Sequence, residues 1–272
     1  MLPEYTVISS LGKGAGSTLH KVRHRLTGKV YALKQVLRDN DPEGLFFSQV
    51  RTEYEVGRQI AHPGVRQVFQ LHRVRRLLRV SQLCLMLEYL EGQTLEQARV
   101  TDPTKLVGIF KGVAAALQAV HQAGFVHADI KPNNIMICSD GVVKIFDLGQ
   151  SCKLGSTKRR IQGTPDFIAP EQVMKLPVDE RTDVFNLGAT MYWCLTGKPF
   201  PTRLKSQQRA DSFDVGSVRH AETPQELRPD VPAVWSALVM DCCRNGPASR
   251  PAMGEVLQRI ASVEHASRIM KK

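Results

Sequence analysis

Two stretches, HADIKPNNIMI at 127–137 and KIFDLG at 144–149, gather Asp129, Lys131, Asn134 and Asp147 around a predicted hairpin. A carboxylate, an amide oxygen and a second carboxylate in this arrangement suit a hard cation such as Mg²⁺. Asp129 is then left to orient an attacking hydroxyl or to accept its proton. Any single Asp or Asn here could be a turn cap; the whole set at this spacing points to chemistry.

A second group lies upstream. In the predicted strand 30–37, Val30, Ala32, Lys34 and Val36 share one face. The blander reading is a lysine that snorkels to water. An unpaired buried ammonium is costly, however, so a partner is expected. Glu53 supplies one. It falls on the same helical stripe as Phe46, Val50, Gly57 and Ile60 in a predicted helix over 44–61, whereas Glu55 turns outward. Pairing with Glu53 would aim Lys34 at a ligand phosphate. The cluster Gly12-Lys13-Gly14-Ala15-Gly16-Ser17 leads into Leu19. A dinucleotide-binding loop needs a helix directly after it, and here a strand follows. Glycines between two strands can instead fold over phosphates, bringing backbone N–H groups to the oxygens.

The elements that must position these groups fall into two sets. Strands at 18–23 and 30–37 flank LTGK as a hairpin, and two more are predicted near 65–79 and 82–89. Beyond residue 90 the period becomes helical. Leu106, Phe110, Val113, Leu117 and Val120 mark a strong amphipathic helix. IMIC and VVKIF form a short hairpin across Ser139-Asp140-Gly141. Residues 183–196 read as a buried helix, and helices near 232–244 and 252–270 close the chain, with a polar, irregular stretch at 203–230. The expected fold is therefore α+β and bilobal, with a β-rich part at 1–87 and a helical part at 88–272.

The 272 residues are 42% hydrophobic and 23% charged, an ordinary globular composition that excludes collagen, low-complexity disorder and a disulfide-dense mini-protein. No apolar run approaches the roughly 20 residues that span a bilayer, and no membrane segment is expected. MLPEYTVISSLG lacks the layout of a secretory leader. Six cysteines show no metal-ligand spacing and read as reduced thiols of a cytoplasmic protein. The formal net charge of +11 could draw nucleic acid, anionic lipid or acidic proteins. No nucleic-acid recognition motif accompanies it, so none is expected as a partner.

From the glycine cluster to Arg250, the chain resembles a eukaryotic-type serine/threonine protein kinase catalytic domain, with HAD where the family has HRD. The resemblance implies ATP with Mg²⁺ or Mn²⁺ as cofactors and a protein serine or threonine hydroxyl as acceptor. The nucleotide would meet Leu11, Gly12, Lys13, Gly14, Ala15, Gly16, Leu19, Ala32 and Lys34, with Glu88 and Leu90 as the hinge backbone that binds adenine and Leu87 as the gatekeeper. Asp129 corresponds to the catalytic base and Lys131 to a phosphate-contacting lysine. Asn134 and Asp147 correspond to the metal ligands, and Glu53 to the partner of Lys34. Thr164, in GTPDFIAPE, would contact Asp129 and Lys131. Glu171 would pair with Arg250, and Asp183 would brace the catalytic loop.

Three departures stand out. Ser17 replaces the third loop glycine, beside Gly16. Leu148 replaces the usual Phe after Asp147. Ala128 replaces an arginine that normally holds an activation-loop phosphate, so phosphorylation of that loop is not expected to be the main switch. A pseudokinase scaffold is the alternative, disfavoured because the residues above are intact. A small-molecule phosphotransferase would generally lack the GTP…APE segment. His121 reads as a packed helix-end residue and His127 as a brace of the loop backbone. Cys152 is a candidate thiol near the nucleotide. The run His72–Arg79 reads as a solvated strand–strand turn or a docking surface for an acidic partner, and Lys158-Arg159-Arg160 would favour acidic substrates.

Overall fold

The computed structural model describes residues 2–14, 16–77, 79–202 and 221–269. They divide into two compact units. One joins Met1–Ala61 to Val65–Glu91 and Asp147–Ser151; the other joins His62–Gly64 to Gly92–Phe146 and Cys152–Lys272. The main boundary thus lies at Glu91–Gly92 rather than between 87 and 88, and short segments are exchanged. Asp147–Ser151 joins the first unit because Leu148 is buried there, next to Gly57.

The first unit is built on a five-stranded antiparallel sheet of β1 (Tyr5–Lys13), β2 (Thr18–His24), β3 (Val30–Leu37), β4 (Val68–Arg76) and β5 (Arg79–Glu88), in the order β1-β2-β3-β5-β4. The period-2 alternation of β3 fills both faces. Ala32 and Val36 pack with Leu83, Leu85 and Leu87 of β5 on one side, and Leu33 joins Val22, Cys84 and Met86 on the other. Helix α1 (Leu45–Gly57) covers the first face. Asp41 caps its start, its carboxylate accepting from the N–H groups of Phe46 and Phe47 at 3.1 and 2.8 Å.

Two details correct the sequence reading of this unit. The helix stops at Gly57, so Ile60 is buried in the turn beyond it. Phe47, not Phe46, belongs to the buried stripe with Val50 and Glu53. Phe46 instead lays its ring against Gly16, where a Cβ would come within 2.0 Å of it. The basic run is mostly strand, since His72–Arg76 lies in β4, and Arg73, Arg75, Arg76 and Arg79 are exposed.

In the second unit α2 is Leu95–Ala98 and α3 is Pro103–Gln122. Asp102 caps α3 by accepting from the Thr104 N–H at 2.9 Å, and Pro103 suits the first turn. Leu106, Phe110, Val113, Leu117 and Val120 are its buried stripe. β6 (Gly92–Thr94), β8 (Ile135–Cys138) and β9 (Val143–Ile145) form a small sheet, and β7 (Phe125–Val126) pairs with β10 (Cys152–Lys153). After α4 (Pro170–Val173), α5 (Glu180–Thr196) is buried along almost its whole length and ends at Gly197 with φ 70°. α7 (Ala233–Cys242) and α8 (Met253–Ile269) follow.

Of the stretch expected to be irregular, 203–220 lies outside the described residues. Pro224–Leu227 forms a short helix, α6, held by a capping box between Thr223 and Glu226. Among the described residues no helix is long and apolar enough to cross a membrane.

Candidate active site

In the first unit the residues able to meet a phosphate converge on Lys34. Its Nζ donates to Glu53 Oε2 at 2.6 Å and to Asp147 Oδ1 at 3.0 Å. Glu53 is 3% exposed and Lys34 17%. Burial opposes the ammonium charge, but attraction to Glu53 and then to Asp147, with both hydrogen bonds, raises the Lys34 pKa. The alternation of β3 aims Lys34 into the α1 side, and the α1 stripe brings Glu53 to it. Asp147, from the segment after β9, occupies the left-handed region with φ 66°.

The glycine-rich turn joins β1 to β2. Gly12 pairs with Leu19, Lys13 with Thr18, and the Gly14 N–H donates to the Ser17 carbonyl at 2.8 Å. Ala15 lies outside the described residues. Leu11 is exposed, while Leu19 packs against the cluster that contains Ala32 and Leu87. At the end of β5, the Glu88 N–H donates to the Gln67 carbonyl at 2.9 Å. The Glu88 carbonyl accepts from Arg66 Nε, also at 2.9 Å, and Leu90 is half-buried just beyond.

In the second unit a tight triangle surrounds Asp129. Its Oδ1 accepts from the Thr164 hydroxyl at 3.0 Å and its Oδ2 from Lys131 Nζ at 2.9 Å, while Lys131 also reaches Thr164 Oγ1 at 2.7 Å. Asn134 Nδ2 donates to the Asp129 carbonyl at 2.8 Å and to Oδ2 at 3.2 Å. The carboxylate is thus fixed in direction by three side chains, and the Asn134 amide is oriented by its own donor.

Asp183, fully buried on α5, holds this loop from behind. It accepts from His121 Nε2 at 2.8 Å and from the N–H groups of His127 and Ala128 at 2.8 and 2.7 Å. Burial alone would raise its pKa, but the His121 hydrogen bond, the charges of His121 and His127 and the Ala128 N–H outweigh that and lower it. Ala128 has φ 62°, a conformation unusual outside glycine, and its carbonyl accepts from Gln172 Nε2 at 2.8 Å. It packs in an apolar cluster with Val126, Val178 and Cys152. His127 Nε2 lies 3.2 Å from the Phe146 carbonyl, bracing the backbone as expected. Glu171 and Arg250 pair at 2.7 and 2.9 Å.

Lys34, Glu53 and Asp147 therefore meet within one unit, and Asp129, Lys131, Asn134 and Thr164 within the other. Three contributors escaped the sequence reading. Asp147 as a second partner of Lys34 and Gln172 as a holder of the loop have no local signal. Arg66 had one, a charged residue inside the apolar pattern of VRQV. Cys152 is a poor candidate nucleophile, because burial raises its pKa despite the opposing effect of Lys158.

A hard divalent cation fits the donor types present. Asp147 offers a carboxylate with 42% of its side chain exposed, and Asn134, its amide nitrogen committed to Asp129, has an oxygen to offer. Among the described residues no group of three His, Cys, Asp or Glu side chains could hold a metal ion by itself, which matches an ion bound by few protein ligands together with phosphate oxygens.

Comparison with known proteins identifies a match to the protein kinase domain over residues 5–260. The chain is 25% identical to a probable serine/threonine-protein kinase of Clostridium acetobutylicum, over 96% of this chain and 40% of that protein. It is 30% identical to sperm motility kinase 2B of Mus musculus, over 93% and 51%. It is 29% identical to the serine/threonine-protein kinase PknB of Mycolicibacterium smegmatis, over 82% and 38%. The chain thus spans about two-fifths to half the length of these relatives.

Proposed function

We propose, from the premise that the chain belongs to the protein kinase domain family, that it transfers the γ-phosphoryl group of ATP to serine or threonine hydroxyls of proteins. The observation that carries this reading is the triangle of Asp129, Lys131 and Thr164. It sets a carboxylate beside a cation and a hydroxyl at hydrogen-bond distance, an arrangement that can orient an acceptor hydroxyl and take its proton. Phosphoryl transfer needs mainly positioning and charge neutralisation, and these residue types supply both.

Each side chain then has a defined task. Asp129 orients the acceptor hydroxyl and takes its proton at a carboxylate oxygen. Lys131 offsets negative charge beside it. Lys34, held by Glu53, contacts phosphate oxygens of the nucleotide, and the Gly12–Gly16 backbone covers them. Glu88 and Leu90 carry the main-chain groups for the base, with Leu11, Leu19, Ala32 and Leu87 as its apolar surroundings. Asn134 and Asp147 would hold Mg²⁺ or Mn²⁺, which when bound neutralises phosphate charge. The Lys158-Arg159-Arg160 run favours acidic sequences around the acceptor, and the reading places the protein in the cytoplasm.

Phosphorylation of the activation loop is not required in this reading. Ala128 brings no cation to the place where an arginine would hold a loop phosphate, and its neighbours there are apolar.

Incubation of the purified chain with γ-labelled ATP, Mg²⁺ and a generic protein substrate tests the proposal. Label on serine and threonine, lost in Lys34→Met and Asp147→Asn, is the expected result. Label on tyrosine alone, or full turnover in either folded variant, would overturn it.

A further inference from the structure

We propose that Arg66 sets the base selectivity of this site, weakening its grip on adenine and admitting 6-oxopurine nucleotides. This rests on the reading above, in which the Glu88 segment receives the purine. An adenine edge presents an amino donor at position 6, whereas guanine and hypoxanthine present a carbonyl acceptor there. A backbone segment can meet the amino group only with a carbonyl oxygen. At Glu88 that oxygen already accepts from Arg66 Nε at 2.9 Å, and the neighbouring N–H is committed to Gln67. The carbonyl keeps a second lone pair, but an amino group arriving there meets the guanidinium donor against donor. A 6-oxo group meets it donor to acceptor.

The surroundings indicate that the guanidinium is held in place and is not a surface side chain folded inward by chance. Arg66 is 8% exposed. Burial works against its charge, and Glu53, Asp147 and Glu88 are the acidic groups that favour it. Two buried or half-buried cations, Lys34 and Arg66, thus share the carboxylates of Glu53 and Asp147. A guanidinium is always charged and has five donors in a rigid fork, so it stays a donor at any working pH. An apolar residue here would anchor the start of β4 without that desolvation cost.

The test compares ATP with ITP, which differ only in the groups at and beside position 6 of the base. Dissociation constants are measured by calorimetry with Mg²⁺ for the unmodified protein, Arg66→Leu and Arg66→Met, each checked for a cooperative thermal transition. The unmodified protein should bind ITP at least as tightly as ATP. Both variants should shift the ratio toward ATP by about tenfold, the worth of one net hydrogen bond gained and one lost. An ATP preference above about tenfold in the unmodified protein, or a ratio that neither folded variant moves, would overturn the inference. Binding and transfer are read separately. A shifted ratio without phosphoryl transfer sinks the proposed kinase activity and keeps the role of Arg66. An unmoved ratio with intact transfer does the reverse, and no binding of either nucleotide removes both.

Discussion

Arg250 and Glu171 meet as a two-pronged ion pair, Nη1 to Oε1 at 2.7 Å and Nη2 to Oε2 at 2.9 Å, with both side chains at most 2% exposed. The pair is further tied down. Glu171 Oε1 accepts from the Thr182 hydroxyl at 2.8 Å, and Arg250 donates to the carbonyls of Arg181, Arg244 and Asn245. The Arg250 guanidinium also lies over the Phe185 ring. Removing either charge leaves the other buried without its partner. Arg250→Met or Glu171→Ala should therefore lower the unfolding free energy by about 3–5 kcal/mol, read from urea midpoints at constant slope. A change within 1 kcal/mol would show that the pair behaves like an exposed one.

Asp183 makes stability depend on acid. Its folded pKa is lowered below the ordinary value of 3.8, so its contribution is complete above that value and is lost as pH falls through the folded pKa. Asp183→Asn should cost about 3 kcal/mol at pH 7, where His121 and two backbone N–H groups lose a charged acceptor. The gap between the two proteins should narrow below pH 4. Urea midpoints measured from pH 3 to 7 check this, and a gap independent of pH would contradict it.

Asp129→Asn retains the hydrogen bonds that orient the loop but cannot take a proton. We expect kcat to fall about 10²–10⁴-fold while nucleotide affinity changes less than about threefold. Steady-state kinetics with calorimetric binding separate the two effects. Equal losses in both would mean that Asp129 acts chiefly in binding.

The loop prediction needs one composite variant. Ser151, Ser156 and Thr157 changed together to alanine, with Thr164 retained, should leave turnover within about threefold, because Ala128 offers no charge-assisted contact to a phosphate at any of them. Assay after phosphatase treatment of both proteins provides the control, and a loss above tenfold would refute loop independence.

Thiol chemistry should be quiet in the folded protein. Burial pushes Cys242 up to about 12 and raises Cys243, Cys194, Cys84 and Cys152 as well. Iodoacetamide at pH 8 should leave these five unmodified until urea is added, as peptide mass spectrometry can show. Rapid labelling of Cys152 in the native protein would indicate a thiolate that its surroundings do not predict.

Much of this molecule was legible from local order in the chain. The steps between Leu106 and Val120 repeat every turn of a helix, and the alternation of Val30, Ala32, Lys34 and Val36 repeats every second residue, so both elements and the inward lysine follow from periodicity alone. Glu53 could be aimed inward for the same reason, and the motif around Asp129 named its own chemistry. Periodicity could not say which of two adjacent phenylalanines is buried. That was decided by the Asp41 cap and by the open space at Gly16, which received Phe46. Nor could it find Asp147 beside Lys34, Asp183 beneath Ala128 or Arg66 on the Glu88 carbonyl. Hydrogen-bond partners far apart in sequence are chosen by where the packed chain brings donors and acceptors to about 3 Å in the absence of water, and only the tertiary structure carries that information.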